Sequence, residues 1–462
     1  MSSVVHRWGG SMKKTSIIKI VCVLVLLLGV HQCTSYKELA PHIFLVKENT
    51  SFLNQTLTMG QPLVVEGQRG SQYYGYIYVN GEKKEGYISS RNVIAYVFDE
   101  SFEKEITSFP DSYKQSLRFL HALYPEWCYV PLNTSLDFSQ TASIFQSKSL
   151  IDTNDFSMIA SPDIIEGQTW RRVSLNAARY FLDPRNGLDA YHALMFEKLT
   201  YNPSETLQEG KRMLAETEMS GIEPQSKKDW AELYRYSAEV NNISMSLLIT
   251  RAIQEQTGGG LGLRGGHARN NPQGPLFYNI YNIGANSSDQ DGIDFAASRN
   301  WDTREKAILY GSKYLADNYI TKGQDSLYLQ KFDVHNNNPG HHYYMSNIRA
   351  PYSEAKNMLK GYISNHMDHV KRILEIPLYT NMPVYNAYPI STDINYSGTI
   401  MKNPYCEYQI ENTYKNLTEN VDYISINHKT YTHIVGLNNY YGSCDICLLY
   451  TSPSPRDRSV SR

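Results

Sequence analysis

One acidic side chain stands where a helical pattern gives way to a run of glycines. In the stretch "ITRAIQEQTGGGLGLRGG" the acid is Glu255, and the glycine-rich run covers residues 258–266. Ser244 is a suitable N-cap, which predicts a helix over residues 245–255. Leu248 and Ala252 precede the acid at helical spacing, so Glu255 shares its face with apolar side chains.

Two features of this position favour a raised pKa for the Glu255 carboxyl. Its face of the helix is apolar, and the last turn carries the negative end of the helix dipole, which disfavours a carboxylate charge. A raised pKa suits a general acid, which must hold a proton near neutral pH. From spacing alone, however, an ordinary surface acid paired with Arg251 four residues earlier is the favoured interpretation.

The glycine run has its own alternatives. Nucleotide-binding loops lie between a strand and a helix, and the P-loop carries a Lys followed by Ser or Thr. This run follows a helix and has no such Lys, which argues against a nucleotide site. A mobile lip over a long cleft and a simple disordered loop both remain open.

Composition narrows the class of partner and cofactor. Lys plus Arg is 44 against 46 for Asp plus Glu, so the formal net charge is −2 and no basic excess is present for nucleic acid. Cys444 and Cys447 have a metal-ligand spacing, but no second Cys pair or His partner follows at ligand spacing. We therefore predict neither a nucleic-acid partner nor a metal site.

The N-terminal residues 1–35 have the pattern of a secretory signal. Lys13 and Lys14 precede the apolar run "IVCVLVLLLGV", and small residues follow it. An uncleaved membrane anchor is the alternative, although the run is shorter than the about 20 residues of a spanning helix. We also expect residues 1–11 not to be native and residues 449–462 to be a sequence artefact.

The remainder divides into three parts. Residues 36–100 predict a small all-β module, with short runs rich in Tyr, Val and Ile and an Asn80-Gly81 hairpin signal. Residues 105–365 predict a mostly α domain, in which Asp302 and Glu305 have capping-box spacing before an apolar run. Residues 366–448 lose helical periodicity, and no function is assigned to them.

Blocks of the α domain resemble, in order, the bacterial N-acetylglucosaminidases of the lysozyme-like superfamily, glycoside hydrolase family 73. "LLITRAIQEQTGGG" resembles the segment that holds their catalytic glutamate. Four further blocks are similar: "YPEWCYVPLNTSLDF", "YFLDPRNGLD", "FYNIYNIGA" and "HHYYMSNIRAPYSEA". They cover about residues 110–360, although Cys128 and Phe138 stand where Phe and Trp are expected. "YVNGEKKEGYI" resembles the SH3-like modules found beside cell-wall enzymes.

The resemblance implies a mainly α, lysozyme-like domain behind a small all-β SH3-like module. It implies cleavage of the β-1,4 bond after N-acetylglucosamine in peptidoglycan glycan strands, with Glu255 as general acid and no cofactor. The second group is either Asp291, with Asp289 and Asp294 nearby, or the substrate's own acetamido group assisted by Tyr344. Each acid could equally cap a helix or loop, and Tyr344 could be a packing residue.

The same resemblance implies the sugar contacts. We expect them from Tyr278, Tyr281 and Asn282, opposite the acid, and from Gln254 beside it. A muramidase or lytic transglycosylase on the same fold, or an inactive cell-wall binding protein, are the alternatives. In each case the expected location is secreted and cell-wall associated.

Overall fold

The computed structural model describes residues 35–79, 82–256, 258–285, 287–336, 338–343 and 345–389. Several predictions lie outside the described residues: the signal or anchor over residues 1–34, the Asn80-Gly81 hairpin, Tyr344, the C-terminal residues 390–462, and Cys444 with Cys447. Among the described residues, no helix is long and apolar enough to cross a membrane.

The N-terminal part consists of short strands that form a sheet. They are β1 (Lys37–Val46), β2 (Thr50–Phe52), β3 (Gln55–Leu57), β4 (Pro62–Arg69), β5 (Gln72–Val79), β6 (Glu82–Ser89) and β7 (Val93–Ala95). Five of them form an antiparallel sheet in the order β6-β5-β4-β1-β7, and β2 pairs with β3. The sheet buries its own apolar cluster, which includes Leu45, Val65 and Ile77. Its likeness to SH3 modules stays a prediction.

Helices dominate the part that follows. They are α1 (Glu100–Glu105), α2 (Asp111–Leu123), α3 (Phe138–Lys148), α4 (Leu175–Leu182), α5 (Leu207–Leu214), α6 (Trp230–Asn241), α7 (Met245–Gln256), α8 (Leu261–Arg264), α9 (Asp289–Ser298), α10 (Arg304–Asn318), α11 (Leu327–Phe332) and α12 (Ala350–Ser364). Helix α10 begins one residue later than its expected cap. The Thr303 hydroxyl accepts the N–H of Lys306 at 3.2 Å, whereas Asp302 pairs with the Lys306 ammonium at 2.7 Å.

Seven further strands lie between and after these helices. They are β8 (Trp127–Asp137), β9 (Leu150–Asp152), β10 (Ile159–Glu166), β11 (Trp170–Val173), β12 (Gly266–His267), β13 (Leu276–Phe277) and β14 (Arg372–Thr380). Strand β14 pairs in parallel with β8, although more than 200 residues separate them. Strands β10, β11 and β9 form an antiparallel sheet.

Strand β14 moves the C-terminal limit of the helical domain. We expected this domain to end at residue 365, but Leu374 and Ile376 are fully buried in the same core as the helices. Beyond the strand, the Tyr388 ring lies 5.0 Å from the Tyr180 ring, and the Arg185 guanidinium donates to the Val384 carbonyl at 3.0 Å. Residues 366–389 therefore belong to the helical domain.

Helix α7 lies inside this core. Leu248, Ile249 and Ala252 have no exposed surface, and the helix packs against α5 and α6. Helix α6 in turn packs against α10. Because α7 is buried along most of its length, its last turn is held at a fixed place in the domain.

Candidate active site

The start of α7 is held by two buried oxygen-bearing side chains. The Ser244 hydroxyl accepts the N–H of Leu247 at 3.1 Å, which confirms the predicted cap. The Glu205 carboxylate accepts the N–H of Ser246 at 3.2 Å. A negative charge at this end is stabilised by the helix dipole. The helix ends at Gln256, one residue beyond its predicted end.

A buried charge cluster ties this helix start to β14. The Arg372 guanidinium pairs with Glu197 and with Glu205, the latter at 3.5 Å, and lies 3.6 Å from the centre of the Tyr362 ring. Burial raises the pKa of Glu197, although Arg372 opposes that shift. These residues are far apart in sequence, so only the tertiary structure brings them together.

At the other end of α7, Glu255 faces the segment over residues 278–285. Its side chain is half-buried, and its Oε2 lies 3.4 Å from the Nδ2 of Asn282, which donates to it. Asn282 has a φ of 53°, in the left-handed region that Asn tolerates better than most residues. The expected position of this segment, opposite the acid, is what the structure has.

Gln256 was not predicted to have a role, yet it joins both sides of the site. Its side chain is 4% exposed, and its Nε2 donates to the carbonyls of Asn279 at 3.2 Å and Ile280 at 3.1 Å. Its Oε1 accepts the N–H of Leu263 in α8 at 2.8 Å. The available sequence signal was a second amide side chain beside the acid, on the side that faces the core.

The glycine run after α7 has a defined structure at its described residues. It contains α8 and then β12, which pairs with β13. Gly265 has a φ of +86°, and a Cβ at that position would lie 2.7 Å from the Tyr278 ring. The disordered-loop alternative is therefore wrong for these residues, while movement of the run over a substrate stays a prediction.

Two of the expected sugar contacts lie in the core. Tyr278 is 3% exposed, its hydroxyl accepts from Gln225 at 2.9 Å, and the Arg304 guanidinium lies 4.6 Å from its ring centre. Tyr281 is 2% exposed and packs against Gly311 of α10. Their burial favours a packing role for both rings over the predicted sugar contact.

The other two expected contacts are more accessible. Asn282 is half-buried beside the acid, and Gln254 is exposed on the last turn of α7. The Gln254 Oε1 accepts from the Arg251 guanidinium at 3.4 Å. Both side chains lie where a ligand at Glu255 would reach them, and their role in binding stays a prediction.

The candidate second acids begin α9. Asp291 forms a capping box with Ser288, and its carboxylate accepts the backbone N–H groups of Ser287 at 2.9 Å and Ser288 at 3.0 Å. Arg269 pairs with Asp291 at 2.5 Å and with Asp294 at 3.0 Å. The hydrogen bond from Arg269 lowers the pKa of Asp291. These contacts favour a capping role for Asp291, and its catalytic role stays a prediction, as does that of the exposed Asp289.

Arg251, the expected partner of Glu255 in the ordinary interpretation, forms an ion pair with another helix. Its guanidinium lies 2.7 Å from the Glu354 carboxylate on α12. Burial raises the pKa of Glu354, and the pairing with Arg251 works against that shift. The pair holds the last turns of α7 against α12.

Nothing in the described part of the chain gathers three or more His, Cys, Asp or Glu side chains that could hold a metal ion. The adjacent His342 is engaged elsewhere: its Nδ1 lies 2.5 Å from the Gln324 Oε1. Next to the undescribed Tyr344, the backbone is fixed by Lys331, whose buried ammonium donates to the carbonyls of Met345 at 2.8 Å and Ser346 at 3.2 Å.

The chain is similar to known bacterial proteins over part of its length. The bifunctional autolysin of Staphylococcus aureus strain MSSA476 is 30% identical over 154 residues, which is 32% of this chain and 12% of that protein. The bifunctional autolysin of strain N315 is 29% identical over the same number of residues. No protein-family model matches the chain.

Solved structures are similar over about half of the chain. The crystal structure of S. aureus glucosaminidase B matches with a TM-score of 0.44 and 19% identity, covering 55% of this chain and 94% of that one. The structure of S. aureus autolysin E in complex with the muropeptide NAM-L-ALA-D-iGLU matches with a TM-score of 0.38 and 19% identity, covering 53% and 97%.

The chain thus spans only 12% of the length of the curated autolysins it matches. The ordered sequence blocks and this similarity agree with each other. They confirm the resemblance of the chain to the glucosaminidases of glycoside hydrolase family 73.

Proposed function

We propose that the protein is a peptidoglycan hydrolase, an endo-β-N-acetylglucosaminidase that uses Glu255 as general acid. The observation that carries the proposal is the placement of this carboxyl. It lies at the end of a buried helix, half-buried itself, with the Asn282 amide 3.4 Å away on the opposite segment. The autolysins and glucosaminidase structures to which the chain is similar support the substrate class.

The geometry suits proton donation to a leaving oxygen. Glycosidic cleavage needs a positioned acid and stabilisation of an oxocarbenium-like centre. The buried face of α7 fixes the Glu255 backbone, and the Asn282 amide orients its carboxyl through a hydrogen bond to Oε2. Gln256 holds the segments on both sides at hydrogen-bond distance, so substrate binding need not assemble the site.

For the second group we propose the substrate's own 2-acetamido group, assisted by Tyr344. The support is indirect: the Asp291 carboxylate already accepts two backbone N–H groups and pairs with Arg269. Tyr344→Phe is then expected to lower kcat at least about 100-fold, the usual range for a positioned proton-transfer or stabilising group. Asp291→Asn is expected to keep activity within a few-fold at neutral pH, and the reverse pattern would assign the role to Asp291.

The direct test is digestion of purified peptidoglycan by the full chain and its Glu255→Gln variant. The variant keeps the shape of the side chain but cannot donate a carboxyl proton, so we expect a loss of about 100-fold or more. Glu239→Gln is the matched control, because it removes an exposed acid from the last turn of α6. Equal activity of the Glu255→Gln variant and the wild type would remove Glu255 from the mechanism.

Mass spectrometry of borohydride-reduced products identifies the bond. Reduced N-acetylglucosamine ends support the proposal. Reduced N-acetylmuramic acid ends would indicate a muramidase, and anhydro ends a lytic transglycosylase. Binding to the polymer without any cleavage by the wild type would instead indicate an inactive cell-wall binding protein.

We further propose that the protein acts outside the cytoplasm, at the cell wall, and that the N-terminal sheet is an SH3-like module that binds it. The signal-like sequence over residues 1–35 and the expected substrate support this location. Fractionation of producing cells tests it: we expect the protein in the wall and medium fractions. Recovery in the cytoplasmic fraction alone would contradict it.

A further inference from the structure

A cleft of about 410 Å³ lies where the N-terminal sheet meets the helical domain. Four cationic side chains line it, two from each part. Lys47 directly follows β1 and Arg91 lies in the 3₁₀ helix Ser90–Asn92, while Lys356 and Lys360 are one turn apart on α12. The Lys47 N–H donates to the Asn92 carbonyl at 2.8 Å, which holds the two sheet cations in adjacent segments.

The cleft carries more positive than negative charge. Glu48 lines it, and Asp368 acts electrostatically on Tyr124 at its wall. Two acids against four cations leave a local excess of two positive charges. The whole chain has a formal net charge of −2, so this excess is a local feature. Such a concave, basic site attracts anionic groups.

The floor of the cleft is apolar and aromatic. It includes Leu359, Tyr124 and Tyr191, and the Tyr124 ring is stacked on Trp127 with ring centres 4.0 Å apart. The Lys356 ammonium lies 5.7 Å from the Tyr191 ring centre. A ligand that fits this combination has aliphatic or amide surface together with carboxylates. A bare phosphodiester polymer would use the cations but leave the floor uncovered.

We propose that this cleft binds the carboxylate-bearing peptide stems of the glycan polymer, apart from the site at Glu255. The proposal rests on the proposed function, which supplies a polymer with such stems. Helix α12 joins the two places: Lys356 and Lys360 face the cleft, and Glu354 on the same helix pairs with Arg251 of α7. The N-terminal sheet thereby contributes directly to substrate retention, through Lys47 and Arg91.

Binding of the full chain to peptidoglycan sacculi tests this proposal. All proteins carry Glu255→Gln so that the polymer is not digested, and one protein also carries Lys356→Gln and Lys360→Gln. Sacculi are first freed of attached phosphodiester polymers by acid. On them we expect the double lysine variant to bind about 3- to 10-fold more weakly, since two partly exposed ion pairs are lost. The difference is expected to shrink as salt is raised.

The matched control replaces two lysines outside the cleft, Lys104→Gln and Lys313→Gln, both of which are exposed on helices. On sacculi whose peptide stems were removed by an amidase, cleft and control variants are expected to bind alike. Equal binding of the two variants on intact stems would overturn the proposal. A defect confined to sacculi that retain phosphodiester polymers would overturn it as well, in favour of that polymer as the ligand.

Activity on stem-free glycan separates this proposal from the proposed function. With Glu255 restored, the cleft variant is expected to cleave stem-free glycan at the wild-type rate. If the wild type cleaves no glycan but still binds stems in a lysine-dependent manner, the enzymatic proposal fails and the cleft assignment stands.

Discussion

Replacing Gln256 tests whether the candidate site is preorganised by a single buried amide. Gln256→Leu keeps a side chain of similar size but removes both donors and the acceptor. Three hydrogen bonds are lost, to the carbonyls of Asn279 and Ile280 and from the N–H of Leu263. At roughly 1 kcal/mol of net stability for each, we expect the free energy of unfolding to fall by about 3 kcal/mol.

Gln254 provides an internal control on the same helix. It is exposed, and its printed contact to Arg251 is long, at 3.4 Å. Gln254→Leu is therefore expected to change the free energy of unfolding by no more than about 0.5 kcal/mol. Urea unfolding of both variants, followed by tryptophan fluorescence, measures the difference between a buried and an exposed amide two residues apart.

Hydrogen exchange gives a local readout for the same change. The Leu263 N–H loses its acceptor in Gln256→Leu, so peptides that cover α8 are expected to exchange faster than in the wild type. Peptidoglycan turnover is expected to fall as well, because Gln256 adjoins Glu255. A stability within about 0.5 kcal/mol of that of Gln254→Leu, together with unchanged exchange at α8, would refute this account of the site.

Three further changes address the surroundings of the site. Arg372→Met leaves two buried carboxylates without their cation and should cost about 3–5 kcal/mol in urea unfolding; a loss below 1 kcal/mol would contradict this. The pKa of Asp291 is lowered in the fold, so its stabilising effect is present above its unfolded pKa of about 3.9 and is lost as the pH falls. Melting temperatures below pH 4 should therefore drop less in Asp291→Asn than in the wild type, and parallel curves would argue against the ion pair. Gly258 and Gly265 both have positive φ, but only Gly265 has a ring where its Cβ would go, so Gly265→Ala should be the less stable variant by about 1–3 kcal/mol; equal melting temperatures would contradict the close packing at Tyr278.

Local sequence was sufficient for the elements with strong periodic signals. The helix that ends at Glu255 was predicted to within one residue, because its cap is Ser244 and its buried positions recur at helical spacing. The strands between residues 37 and 95 were predicted as a β-rich stretch for the same kind of reason. In both cases the signal lies in residues that are close in the chain.

The limit of the helical domain could not be predicted in this way. Strand β14 pairs with β8 across more than 200 residues, and neither strand has a local pattern that names the other. A parallel pair requires a long connection, so its register is set by the folded domain that lies between the strands. The sequence alone therefore ended the domain at residue 365.

The chemistry of the site divides along the same line. Sequence determined the candidate acid and its neighbours, because Glu255, the glycine run and the 278–285 segment are recognisable as ordered blocks. Only the tertiary structure decided which side chains reach it: it set Asn282 beside the acid, buried Tyr278 and Tyr281 behind it, and engaged Asp291 with Arg269. Residue type and spacing specify what a side chain can do, whereas burial and partners from distant segments decide whether it is available to do it.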